Sequence, residues 1–175
     1  MWQLNDLFQL LEPVTLKYFD KNEIFTLTII LIVWGIGIYL YKRERILSQT
    51  EIIALFVFNV LFGTVGDRIL AEPPLDFYDT LDYPHGEIFD SILQIFVYPM
   101  PIIISIYFYR KFKPNKWFYI VLWASILATL EWISETFFDL YQYNGWTIYY
   151  SFVFYGFVML LNLIFIKKVE NLIER

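Results

Sequence analysis

Six carboxylates and one guanidinium stand inside or at the edges of strongly apolar stretches of this chain: Asp67, Arg68, Glu87, Asp90, Glu131, Glu135 and Asp139. Charged groups in such surroundings are costly, and as a rule they are paired, face a water-filled cavity or serve a function. Like-charged carboxylates crowded in a low dielectric cannot all stay ionised. Some must be protonated, paired with Arg68, bound to a cation or open to water, and each option is a different chemistry. An Arg68 clamp would fix helix register through charge-assisted hydrogen bonds. A hard divalent cation would suit the oxygen ligands, with Glu87, Asp90 and His85 as candidate metal ligands. Protonated carboxylates would suit proton transfer or general acid and base catalysis, with Glu131 and Glu135 as candidates.

Spacing gathers these groups. Glu131, Glu135 and Asp139 recur at i, i+4 and i+8, which is one face of a helix, with Glu131 about 12 Å deeper than Asp139. Glu87, Asp90, Gln94 and Tyr98 fall within one arc of the preceding apolar stretch. Asp67 and Arg68 follow Asn59, Gly63 and Gly66, small or polar residues that let a neighbouring helix come close. The expected polar cluster is therefore Asp67, Arg68, Asp90, Gln94, Glu131 and Glu135, supplied by three helices.

The elements that must position them are set by composition. Of 175 residues, 58% are hydrophobic, 22% aromatic and only 18% charged. A soluble domain of this size leaves about a third of its unfolded-chain surface in contact with solvent, so most of the 18 Phe, 14 Tyr and 6 Trp could not be hidden from water. Five apolar stretches approach the roughly 20 residues needed to cross a bilayer: 24–41, 52–71, 87–109, 117–140 and 148–166. The expected fold is an all-α, polytopic bundle of five transmembrane helices in one membrane domain, 24–166. Before it, 1–23 mixes Trp2, Leu4, Leu7, Phe8, Leu11 and Val14 with Asp6, Gln9 and Glu12, the pattern of an amphipathic helix lying on the outer interface. Residues 167–175 form a tail.

Helix starts are marked. Asp20 to Glu23 and Ser48 to Glu51 have capping-box spacing, and Asn115 can cap the fourth helix. Pro99 and Pro101 each remove an amide donor and should bend the third. Ten of the thirteen Lys and Arg fall at one side of this threading, in 42–45, 110–116 and 167–175. Short cytoplasmic loops hold that excess, which puts the N-terminus outside and the C-terminus in the cytoplasm. The loops 72–86 and 141–147 lie on the outer side, the second with an Asn144-Gly145 turn signal beside Trp146.

Several classes are disfavoured. The chain has no Cys, which removes disulfides and thiol chemistry, and its single His rules out zinc-protease signatures that need two. Asp76 to Glu87 imitates a calcium loop, but Tyr78, Thr80 and Leu81 occupy positions where ligands and a Gly are needed. A net charge of −5 argues against nucleic acid as partner.

The segment from Asn59 to Tyr155 resembles a family of small, uncharacterised multi-pass membrane proteins of spore-forming Firmicutes. The resemblance rests on a polar loop after the second helix, Phe96, Tyr98 and Pro99 in the third, Trp123 and Glu131 in the fourth, and Tyr143, Asn144, Gly145 and Trp146 before the last. It implies a bacterial cytoplasmic membrane protein with five spans and carries no activity with it. The leading functional expectation is a non-catalytic integral membrane protein whose outer-leaflet polar pocket binds a cation, a small polar ligand or a partner subunit. Two alternatives are an intramembrane enzyme working on a lipid-linked substrate, with Arg68 holding an anionic headgroup, and a proton-coupled carrier. No cofactor is expected beyond a bound divalent cation. The expected partners are the lipid bilayer and a second copy or another membrane subunit.

Overall fold

A computed structural model describes residues 18–81 and 88–173. Residues 1–17 of the expected interfacial segment 1–23, together with His85 and Glu87, lie outside the described residues, and from Lys21 that segment already belongs to the first long helix. Five helices account for most of the rest: α1 (Lys21–Arg43), α2 (Gln49–Ala71), α3 (Ile88–Phe112), α4 (Lys116–Phe138) and α5 (Ile148–Ile173), each long and apolar enough to cross a membrane. They start within three residues of the expected positions, because the start signals are local and chemically definite. Asp20 and Ser48 both close full capping boxes with Glu23 and Glu51, and the Asn115 side chain accepts from the amides of Trp117 and Phe118.

The expected all-α fold needs one correction. Tyr78–Thr80 (β1) and Tyr141–Tyr143 (β2) form a two-stranded antiparallel ribbon, with Tyr78 opposite Tyr143, Asp79 opposite Gln142 and Thr80 opposite Tyr141. The ribbon ties the α2–α3 connection to the α4–α5 connection. Further backbone bonds extend the tie, from Asn144 and Trp146 to the Phe77 carbonyl and from Leu81 to that of Leu140. Gly145 turns the chain at φ 124°, a conformation that an L side chain rarely adopts.

The helices alternate in direction, so one end of the bundle carries the ribbon and the other carries the basic clusters. Around the bundle, α1 packs on α3 and α4, α2 on α3 and α5, and α4 along α5. Helix α3 is the most enclosed. Its half towards the basic end fills the centre, where Leu55, Ile106 and Met159 are fully buried. The Met100 methyl of α3 packs over Gly37 of α1, where a Cβ would have to displace it. Asn59 and Asn162 exchange amide hydrogen bonds of 2.8 and 3.0 Å between α2 and α5. Polar side chains bond across helices in this way in an apolar medium.

The proline pair in α3 is accommodated by a change of helix type. Residues Leu93–Val97 form a π turn, closed by the Tyr98 amide on the Leu93 carbonyl, and Pro99 opens the following α segment, where a missing N–H costs little. The Phe96 carbonyl accepts from the Trp34 indole of α1 at 2.9 Å.

The outward faces are apolar. Leu31, Ile53, Leu61, Phe118 and Val153 are all more than half exposed, a distribution that suits lipid and would be a liability in water. At the basic end, Arg110 bonds Glu51 at 2.7 Å and reaches Glu170 at 3.4 Å, joining α2, α3 and α5. Lys111 bonds Glu44 at 2.7 Å, and that hydrogen bond holds the Glu44 carboxyl below its ordinary range.

Candidate functional site

Between the five helices and beneath the ribbon lies a cavity of about 430 Å³. Such a volume falls within the roughly 300–1,000 Å³ of small-molecule sites. Its walls are mainly aliphatic and aromatic: Ile29, Val33 and Ile36 from α1, Phe62 from α2, Val97 and Ile102 from α3, Leu127 from α4 and Phe154 from α5. Polarity is confined to a few groups, chiefly Asp67, Glu131 and the hydroxyls that bind them.

Glu131 is held from three directions. Its Oε1 accepts from the Tyr143 hydroxyl at 2.6 Å and from Ser151, and its Oε2 accepts from Tyr155. Ser151 accepts in turn from the Trp146 indole at 2.7 Å. Asp67 accepts from the Tyr78 hydroxyl at 2.8 Å on one oxygen and from the Gln94 amide at 2.9 Å on the other. The same Gln94 nitrogen reaches Asp90 at 3.0 Å, so α2 and α3 share an amide bridge. Tyr98 and Tyr141 join hydroxyls at 3.0 Å alongside.

The ribbon makes this arrangement possible. Residues directly opposite in an antiparallel pair point to the same face. Tyr78 and Tyr143 are such a pair, and each delivers its hydroxyl to a different carboxylate. Tyr141 and Thr80 form the next inward pair, while Asp79 and Gln142 take the alternate face, where Asp79 accepts from Asn144 at 2.7 Å. Two strands of three residues thus place three tyrosines over the mouth of the cavity.

Of the residues expected to converge, Asp67 and Glu131 line this cavity, and Gln94 and Asp90 join Asp67 from outside its lining, but Arg68 and Glu135 do not. The Arg68 side chain is 75% exposed and bonds Glu72 at 3.2 Å, four residues on. It follows Asp67 by one position, which is about 100° around a helix, so Asp67 turns inward and Arg68 outward. The expected Arg68 clamp is therefore absent, and with it the anchor assigned to an anionic headgroup. Glu135 lines a separate polar hollow at the α1 start with Asp20, Asn22 and Asp139. There Asp139 pairs with Lys21, both well exposed. Among the described residues no three His, Cys, Asp or Glu side chains are grouped closely enough to hold a metal ion. The expected His85 and Glu87 ligands lie outside the described residues.

What sequence reasoning missed is the tyrosines. Tyr78, Tyr141 and Tyr143 stand in the connections and Tyr155 in the fifth span, and the role of Tyr78, Tyr143 and Tyr155 as carboxylate ligands depends on contacts across the fold. Alternation in Tyr141-Gln142-Tyr143 beside an Asn-Gly turn was the available signal for a strand.

Burial pushes the Tyr78, Tyr141 and Tyr143 phenols above their ordinary range, with the nearby carboxylates adding to the effect. The folded state thus holds these protons more tightly than the unfolded state does. Their contribution is fully present below about pH 10, the unfolded phenol value, and is lost as pH climbs above it. A spectrophotometric titration should show these three phenols resisting ionisation until the protein unfolds. Titration with freely exposed tyrosines would refute this.

No protein-family model, curated protein or solved structure matches the chain.

Proposed function

We propose that this chain is a multi-pass protein of a bacterial cytoplasmic membrane that binds a small amphipathic molecule in the cavity beneath the ribbon, without catalysing its conversion. Membrane insertion is supported by five long helices whose apolar faces point outward. The sorting of Lys and Arg to alternate connections supports an N-terminus outside and a C-terminus in the cytoplasm, which puts the ribbon and cavity mouth on the outer side.

The observation that carries the binding role is the cavity itself: a predominantly apolar volume with two hydrogen-bonded carboxylates among its lining residues. An apolar body would occupy the helix-lined part and a polar head would meet Asp67 and Glu131. Orientation by a few placed polar groups within greasy walls is the common design of small-molecule sites. A binding role also accounts for the acids better than catalysis does. Each already holds several fixed donors, and the anion anchor that an enzyme reading needs, Arg68, points away.

Gly63 lines the cavity across from the Tyr98 ring, so a large side chain there would occupy the ligand volume. Native mass spectrometry of protein released gently from membranes should show an added amphiphile mass on the wild type and none on Gly63→Trp. The reading fails if both forms retain it equally or if neither carries any.

A further inference from the structure

The chemical class of the head follows from a charge imbalance, and the inference rests on the amphiphile reading above. Asp67 and Glu131 line the cavity, yet among the described residues no Lys, Arg or His lines it with them. The ion pairs among the described residues involve neither acid: Lys21 bonds Asp139, Arg68 bonds Glu72, and Arg110 and Lys111 serve the opposite end. Both carboxylates are bonded by neutral groups: hydroxyls of Tyr78, Tyr143, Ser151 and Tyr155, and the Gln94 amide. These donors are neutral, so none of them brings a positive charge to either acid. A cation entering the cavity would find two acids without a charge partner, and charge in apolar surroundings is tolerated when it is paired.

Room remains for one. A carboxylate offers about four lone-pair positions. Glu131 uses three and Asp67 two. The cross-strand register puts Tyr78 and Tyr143, which bind the two carboxylates, at paired positions of one ribbon face above a cavity that both acids line. The rings of Tyr78, Tyr141, Tyr143 and Trp146 line the same end of the cavity. Aromatic faces attract organic cations through the ring quadrupole and are a usual lining for substituted ammonium groups.

We infer that the cavity takes an amphiphile with an organic ammonium head, whose positive charge is met by Asp67 and Glu131 beneath the tyrosines of the ribbon. An anionic head would meet two acids and, among the described residues, no basic side chain. A neutral head would leave the acids uncompensated.

The test uses the full chain in a nonionic maltoside detergent, with Gly63→Trp as the blank for micelle partition. Decyltrimethylammonium, decanol and decyl sulfate are titrated by calorimetry. The ammonium probe should bind at least about tenfold more tightly than decanol, and decyl sulfate should not bind above the blank. Asp67→Asn and Glu131→Gln should each remove about tenfold from the ammonium affinity and leave decanol binding unchanged. Asp67→Asn keeps an acceptor for Tyr78, so it carries the comparison where Glu131→Gln fails to fold. Glu135→Gln, outside the cavity, should match wild type. A lysophosphatidylethanolamine arm separates sources: binding equal to the free ammonium assigns a lipid headgroup, and failure assigns a free lipophilic amine. If decanol or decyl sulfate binds as well as the ammonium probe, and the acid variants change nothing, the head assignment is overturned while the amphiphile reading stands. If no probe exceeds the blank, both fall.

Discussion

Replacing Glu131 with leucine should destabilise the protein by roughly 3 kcal/mol, since three donors would lose their acceptor at about 1 kcal/mol each. Tyr143, Ser151 and Tyr155 all aim at this carboxylate. Hydrogen bonds within membranes average less than those to charged groups in water, which is why the lower figure per donor is used. Glu131→Gln keeps one acceptor oxygen and should lose clearly less. Thermal unfolding in detergent, followed by tryptophan emission, reads both variants, and the Leu variant should also loosen Trp146, which is tied to Glu131 through Ser151. A Leu variant melting within about 0.5 kcal/mol of wild type would show that the carboxylate holds nothing together.

The second large effect belongs to the opposite end of the bundle. Arg110 is 19% exposed and Glu51 only 7% by side chain, so removing the guanidinium leaves a buried carboxylate without its cation. Arg110→Met should cost roughly 3–5 kcal/mol, the range for breaking one side of a buried pair. The capping bonds from Ser48 to Glu51 remain in the variant and hold the start of α2. Neutralising the orphan should therefore rescue: Arg110→Met with Glu51→Gln should recover most of the loss. Glu170 is more exposed and sits 3.4 Å from Arg110, so Glu170→Gln should change stability by less than about 1 kcal/mol. Denaturation midpoints of the four proteins decide the matter. Failure of the double variant to recover would assign the effect to lost packing by the arginine stem.

The two ends were unequally legible in the sequence. Helix starts at Lys21, Gln49 and Lys116 follow from caps whose partners are two or three residues away, and spans follow from long apolar runs, so both could be read locally. Asp67 and Glu131 belong to the cluster expected from the sequence, and both line the cavity. The direction of Arg68 did not, because its partner Glu72 competes from the same helix, and a long exposed side chain takes the nearer, solvated acid. Glu135 shares a face with Glu131 by spacing, but α1 passes close to α4 near that level and gives it a different neighbourhood. The π turn was hidden for another reason: Pro99 and Pro101 announce a disturbed hydrogen-bond ladder without saying how it is repaired. The ribbon is the clearest omission. Three-residue strands carry too little periodicity to stand out between apolar helices, and their pairing joins residues more than sixty positions apart.

The way the Asn59–Asn162 bridge and the Glu131 donors are distributed along the chain has a consequence for biogenesis. Ser151, Tyr155 and Asn162 all belong to the final helix, whereas Asn59 and Glu131 are synthesised well before it. A nascent chain arrested after α4 has four helices, two buried-type polar groups awaiting partners and no finished ligand chamber. Assembly of the cavity therefore waits for α5 to be made, and a chain stopped before it lacks the donors that complete Glu131 and Asn59.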